Sequence, residues 1–288
     1  MGPDTGHEAS SARPNDEAIL SQQNTIRAEA ASVPYVGDVE ELASLKSEYK
    51  DGNQIFCLKI DKLGDNYSHL RRTRGDGNCY FRAFFFGYLE ALVNNNDVAE
   101  ATRFAGVLRG WRQKLIDSHF QELVFEDAME LLMDQVTAIG RDRDPMSADL
   151  LLTNARDDMV SNMIVMFLRL VTSAAIQQRA DHFAPFIMGM YDEAPAVDHF
   201  CQKYVEPMGE ESDHVHIVAL TDALQVAINV VYLDRSGTAD FGGDSQHSVD
   251  VNTHSFIPEG SLPDTKPAVS LLYRPGHYDI LYAHPRAN

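Results

Sequence analysis

Apolar positions recur at intervals of three and four through most of the chain, and the period drops to two only in the last third. Asn15 or Asp16 can cap a first helix carrying Ile19, Leu20, Ile26 and Ala30, which must end before Pro34. Its apolar stripe is thin: either it packs on the body as an arm, or it stays loose until a partner covers it. Asp38 can cap a second helix with Val39, Leu42, Leu45 and Tyr49 facing inward, and a shorter helix is predicted around 55–63. Further helices are predicted over 98–115 (Val107, Leu108, Trp111, Leu115) and 124–139 (Phe125, Met129, Leu132, Val136), with a short one over 148–152. The run 157–176 is almost continuously apolar, but Asp158 and Arg169 interrupt it. It reads as a central buried helix rather than a membrane span. After a capping Asp213 comes a helix over 214–224. Strands follow over 226–232, 268–273 and 277–282, the last two joined by a Pro275-Gly276 turn. Helices around a small, mostly antiparallel sheet make an α+β (mixed α/β) domain.

The ends and loops divide the chain further. Residues 1–14 are polar and rich in Gly, Ser, Pro and Asp, and read as a disordered tail. Residues 15–36 form the arm, and 37–288 the main domain. A Gly-, Ser- and Asp-rich loop spans 236–253.

Composition narrows the chemistry. With 44% hydrophobic residues in 288, a substantial core can form, and the net charge of -19 leaves no basic surplus to meet nucleic-acid phosphates. Cys57, Cys79 and Cys201 are odd in number and widely spaced, which points to a reducing compartment, cytoplasm or nucleus, rather than to disulfides or a zinc site. No apolar leader and no membrane-length apolar run are expected.

One stretch stands out chemically. In Arg74-Gly75-Asp76-Gly77-Asn78-Cys79, a tight glycine-bearing turn runs straight into the aromatic helix of Ala83, Phe84, Tyr88 and Leu89. Cys79 thus falls in a first helical turn, where free N–H groups and the helix dipole favour a thiolate. The N–H groups of Gly77, Asn78 and Cys79 could receive an oxyanion. The plainer reading is a small buried hydrophobe starting an aromatic helix. The far end of the chain shifts the balance: two apart on a strand, His277 and Asp279 share a face. A carboxylate there can accept the imidazole Nδ1–H and leave Nε2 to take a proton from a thiol. Together these are the parts of a cysteine hydrolase. His214 and His216, by contrast, lack metal-ligand spacing, so neither metal nor organic cofactor is expected.

The motifs Asp76-Gly77-Asn78-Cys79 and Gly276-His277-Tyr278-Asp279 resemble those of the ovarian-tumour (OTU) cysteine deubiquitinases. The runs Glu206-Pro207-Met208, Glu211-Ser212-Asp213-His214, Phe256-Ile257-Pro258-Glu259-Gly260 and the stretch from Leu271 to Tyr282 resemble the otubain branch in particular. The resemblance implies a papain-like OTU fold. It makes Cys79 the nucleophile, His277 the general base, Asp279 the residue orienting it, and Asp76 the holder of the oxyanion loop. It further implies hydrolysis of isopeptide bonds in ubiquitin chains, favouring the degradation-signal linkage, and binding of ubiquitin-conjugating enzymes, with the arm meeting a second ubiquitin. The rival reading is a non-catalytic protein that holds ubiquitin and a conjugating enzyme and blocks transfer. A protease acting on ordinary peptides is the third.

Overall fold

The computed structural model describes residues 32–50, 54–190, 195–235, 239–240 and 248–285. The chain divides after Val33 into two units, and of the first only Ser32 and Val33 are described. The tail expected over 1–14 and most of the arm therefore lie outside the described residues, as does much of the 236–253 loop.

The second unit is built on a six-stranded sheet: β1 (Val36–Glu41), β2 (Tyr67–Thr73), β3 (Ile228–Tyr232), β4 (Thr253–Phe256), β5 (Val269–Arg274) and β6 (His277–Ala283), in spatial order β1-β2-β6-β5-β3-β4. All neighbours run antiparallel except β3 and β5, which pair in parallel from Ile228 against Val269 to Tyr232 against Tyr273. Strands β5 and β6 form a tight hairpin with Arg274 opposite His277 and Leu272 opposite Asp279. Its turn contains Gly276 at φ 76°, a value that favours glycine.

Alternation along the strands separates two faces. Tyr278 and Ile280 point into the larger core, with Ile228, Val230, Val269 and Leu271. Leu281 points the other way, into a smaller cluster with Leu70, Val231 and Leu272, closed by α1 (Gln54–Leu63) through Phe56, Ile60 and Leu63. Eight helices of nine or more residues are described. After α1 come α2 (Cys79–Asn95), α3 (Val98–Asp117), α4 (Glu122–Thr137), α5 (Ala148–Arg156), α6 (Asp158–Gln178), α7 (Ala180–Met190) and α8 (His214–Leu224).

Helix α2 lies between the sheet and the helical layer. Every residue from Cys79 to Glu90 is buried, as befits a helix covered on all sides. It can lie so close because Gly87 faces the sheet: a Cβ there would come within 2.9 Å of Val269 Cγ1. Helix α6 has the length and hydropathy of a membrane span, but most of its apolar stretch is covered by the protein itself.

Two regions depart from the periodicity. The helix expected from Asp38 is instead strand β1 as far as Glu41, followed by short helical turns over Leu42–Leu45 and Lys46–Tyr49. Leu42 and Leu45 are buried as the spacing implies, but Val39 is exposed. Asp38 accepts a hydrogen bond from Arg156 Nη2 (2.6 Å) instead of capping a helix. The expected strands number three, whereas β1, β2 and β4 complete the sheet. Asp213 does cap α8: its carboxylate accepts the Val215 N–H (2.9 Å), and its own N–H donates to His216 Nδ1 (3.2 Å).

Candidate active site

Strand β2 delivers the chain to the turn before α2, and Cys79 is the first residue of that helix. The turn relies on Gly77, at φ 77°, where a Cβ would lie 1.9 Å from the Gly209 carbonyl oxygen. Only glycine satisfies both constraints. Cys79 is buried, with 3% of its surface exposed.

Strand β6 supplies the rest. His277 and Asp279 project together, and the imidazole Nε2 meets Asp279 Oδ1 at 2.8 Å. The sequence reading had the ring the other way round, with Nδ1 on the carboxylate. With Nε2 engaged by Asp279, Nδ1 is the ring nitrogen left over, and Cys79 is close enough to His277 to raise its pKa. Nδ1 also lies against the turn, 3.6 Å from where a Cβ on Gly75 would stand. Spacing along a strand sets which face a side chain takes, not which ring nitrogen reaches its neighbour.

Asp279 has no exposed surface. It accepts from His277, from the Thr73 N–H (3.0 Å) and from Arg274 Nη2 (2.6 Å). Burial alone would raise its pKa, but the His277 hydrogen bond, the His277 and Arg274 charges and the Thr73 N–H outweigh burial and hold it below the usual carboxylate range. For His277, burial pulls downward, and the hydrogen bond to Asp279 and the neighbouring Cys79 push its pKa up to about 9. The imidazole is therefore charged at neutral pH.

The three N–H groups expected to meet an oxyanion are not equivalent. That of Asn78 is taken by Asp76 Oδ1 (3.0 Å), so Asn78 drops out of the expected set. Those of Gly77 and Cys79 have no partner among the described residues. Asp76 is itself held by Arg82 Nη1, at 2.5 and 2.6 Å from its two oxygens.

A cysteine at a helix start, next to an imidazole that is hydrogen-bonded to a buried carboxylate and beside free N–H groups, can carry out acyl transfer. The family model for the otubain peptidases (Peptidase C65) matches residues 28–283. The chain belongs to the otubain family. Among curated relatives, an ovarian tumor domain-containing deubiquitinating enzyme of Arabidopsis thaliana is 47% identical over 94% of this chain and 88% of its own. The human ubiquitin thioesterase OTUB1 is 42% identical over 93% of this chain and 90% of its own. A solved complex of h/ceOTUB1 with ubiquitin aldehyde and UBC13~Ub aligns at 30% identity and a TM-score of 0.79, covering 94% of this chain and 99% of the other. The sheet and its helices are thus the OTU cysteine-protease fold.

Three arginines of this otubain support the site and were not read from sequence as part of it. Arg274 anchors Asp279 and reaches Glu48 Oε2 (2.9 Å) on the Lys46–Tyr49 turn. Arg82 joins Asp76 to Ser161 Oγ (3.1 Å) and Asn162 Oδ1 (2.8 Å) on α6. Arg169, in the middle of α6, donates to Asn78 Oδ1 and to the Gly77 carbonyl (2.9 Å). Its visible signal was the break it makes in an apolar helix, since a cation there needs a reason. His216 is buried between Asp213 and the Tyr204 carbonyl (3.1 Å). Among the described residues no group of three or more His, Cys, Asp or Glu could hold a metal ion.

Proposed function

We propose that this otubain is a cysteine deubiquitinase that hydrolyses isopeptide bonds in ubiquitin chains and conjugates. The observation that carries the reading is that Cys79, at the start of α2, meets the hydrogen-bonded His277–Asp279 pair of β6. The Cys79 thiolate attacks the carbonyl of ubiquitin's C-terminal glycine, and the N–H groups of Gly77 and Cys79 receive the oxyanion. His277, charged at neutral pH, gives its proton to the leaving lysine amine. Now neutral, it deprotonates the water that opens the thioester. Asp279 holds the ring through Nε2, and Asp76 fixes the turn. The three cysteines are all free thiols, which suits a cytoplasmic or nuclear setting.

The test is a ubiquitin probe with a C-terminal electrophile, followed by mass measurement. The protein gains one ubiquitin at Cys79, and Cys79→Ala gains none and leaves ubiquitin chains intact while still binding them. Chain cleavage by Cys79→Ala would remove Cys79 as nucleophile.

A second reading coexists with the first. The matched structures are complexes that also contain a ubiquitin-charged UBC13 or UBCH5B. On that ground this chain also holds a ubiquitin-conjugating enzyme and slows transfer by occupancy. Slowing of transfer by Cys79→Ala supports this reading; no effect at saturating concentration excludes it. Preference for the degradation-signal linkage belongs to the same proposal, and a panel of all linkages decides it.

A further inference from the structure

Arg169 has no step in that scheme, and its position is costly. Its side chain is completely buried, where a cation is expensive unless its hydrogen bonds are all met. Its five bonds end on uncharged oxygens: the carbonyls of Val205 (2.9 Å), Glu210 (2.7 Å) and Gly77 (2.9 Å), and Asn78 Oδ1 twice (3.1 and 2.8 Å). The guanidinium also lies 4.6 Å from the centre of the Phe81 ring. Burial pulls its pKa down to about 10, which leaves it charged at neutral pH.

The peptide unit joining Gly77 to Asn78 shows what this arrangement does. Its carbonyl accepts from Arg169, and its N–H donates to Asp76 Oδ1 (3.0 Å). One rigid plane is held at its two ends by charges of opposite sign. Turning the plane over would aim the carbonyl at the Asp76 carboxylate and the N–H at the guanidinium. Both bonds would become repulsions. Gly77 needs such restraint, because a glycine imposes little barrier of its own to that rotation. The two free N–H groups, of Gly77 and Cys79, belong to the peptide units on either side of this plane, so fixing it restricts the Gly77 and Asn78 torsions that set how those two groups stand relative to each other. The Asn78 side chain extends the hold, since its Oδ1 takes Arg169 together with the Gly209 N–H (3.0 Å). Gly209 is the residue whose carbonyl abuts Gly77.

We propose that Arg169 is a positioning residue for the oxyanion-receiving turn: with Asp76 it clamps the Gly77–Asn78 peptide so that the N–H groups of Gly77 and Cys79 stay turned to the reacting carbonyl. The inference rests on Cys79 being the nucleophile.

Arg169→Gln and Arg169→Lys separate this role from general support of the fold. Four quantities are read: kcat and KM on a ubiquitin-fused fluorogenic substrate, affinity for ubiquitin aldehyde, affinity of the Cys79→Ala background for ubiquitin, and the pH profile of Cys79 alkylation by iodoacetamide. The aldehyde forms a tetrahedral adduct whose oxygen uses the turn; alkylation is a displacement that does not. Arg169→Gln should lose about a hundredfold in kcat, the effect of one oxyanion donor, and a similar factor in aldehyde affinity. KM, ubiquitin affinity and the alkylation profile should stay as in the wild type. Arg169→Lys, keeping the charge but fewer bonds, should recover to within about tenfold of wild-type kcat. A kcat within threefold of wild type in Arg169→Gln overturns the proposal. So does a fall of alkylation rate and ubiquitin affinity in step with kcat. If Arg169→Gln fails to fold, Arg169→Lys decides: kcat and aldehyde affinity fall together with alkylation unchanged, or the proposal is wrong. Failure of the underlying reading looks different, because the wild-type protein itself would then form no aldehyde adduct at Cys79.

Discussion

Replacing Asp279 by asparagine tests the electrostatics of the site most directly. His277 titrates at about 9 against an ordinary 6.5, a difference worth about 3 kcal/mol in favour of the imidazolium. Only 17% of the His277 side chain is exposed, so solvent screens this little. The sign follows from the direction of the shift. Because the folded pKa is the higher one, the stabilisation is fully present below pH 6.5 and is lost as pH rises through 9. Asparagine keeps an oxygen for Nε2–H but removes the charge, while burial and the Arg274 cation still disfavour the imidazolium. Cys79 still favours the imidazolium, so the pKa of His277 should fall from about 9 by at least about one unit, the carboxylate's share of the rise. The alkaline limb of the rate profile should move down by the same amount, and turnover at pH 9 should fall about fivefold or more, further than at pH 7. Turnover should still exceed that of His277→Ala, which has no proton donor at all. NMR titration of the labelled imidazole and pH–rate profiles on a ubiquitin-fused fluorogenic substrate measure both quantities. An imidazole that still titrates near 9 in Asp279→Asn would show that the carboxylate does not hold the proton there.

Other outcomes follow from the same geometry. Gly77→Ala places a Cβ 1.9 Å from the Gly209 oxygen at φ 77°; kcat should fall a hundredfold or more, and wild-type turnover would refute the close approach. Asp76→Ala frees the Asn78 N–H and strands Arg82, whose side chain is 2% exposed. It should cost about 3 kcal/mol of stability and about a hundredfold in kcat, by denaturant titration and turnover; full turnover removes Asp76 from the site. Glu90, on the same helix but away from Cys79, accepts from Arg71 Nε and Nη2 (3.2 and 2.8 Å) and from Tyr282 (2.5 Å). Glu90→Ala should lose about 3–5 kcal/mol with kcat per folded molecule unchanged; a loss below 1 kcal/mol would mean that the buried pair contributes little.

Legibility from sequence varied with how each residue is used. Apolar spacing located α1, α3, α4, α6 and α8 because each hides one stripe or all of itself in the core. It failed at β1, where Leu42, Leu45 and Tyr49 carry a helical spacing that, extended backwards, runs into an edge strand with only Val36 buried. It failed at β2 because Arg71 and Thr73 are buried through hydrogen bonds and read as polar surface. Cys79, His277 and Asp279 were legible since turn chemistry and strand alternation are local. What joins the turn to Arg169, and Arg82 to Ser161 and Asn162, is not local: nothing in the chain's order says that α6 meets α2 and the turn before it. Helix α7 was missed for a related reason, with Pro185 inside it and Phe186, Met188 and Met190 exposed.

The place of β6 within the sheet bears on how the protein comes into being. The strand that carries His277 and Asp279 is inserted between β2 and β5, and 206 positions separate Thr73 from the Asp279 it bonds. During synthesis, the sulfur emerges long before the imidazole that works with it, and a nascent chain has no competent site until its final strand slots home. A fragment stopping short of His277 would be both inert and sticky, since two naked strand edges would face the gap. Proteolytic power and a finished fold therefore arrive in the same event.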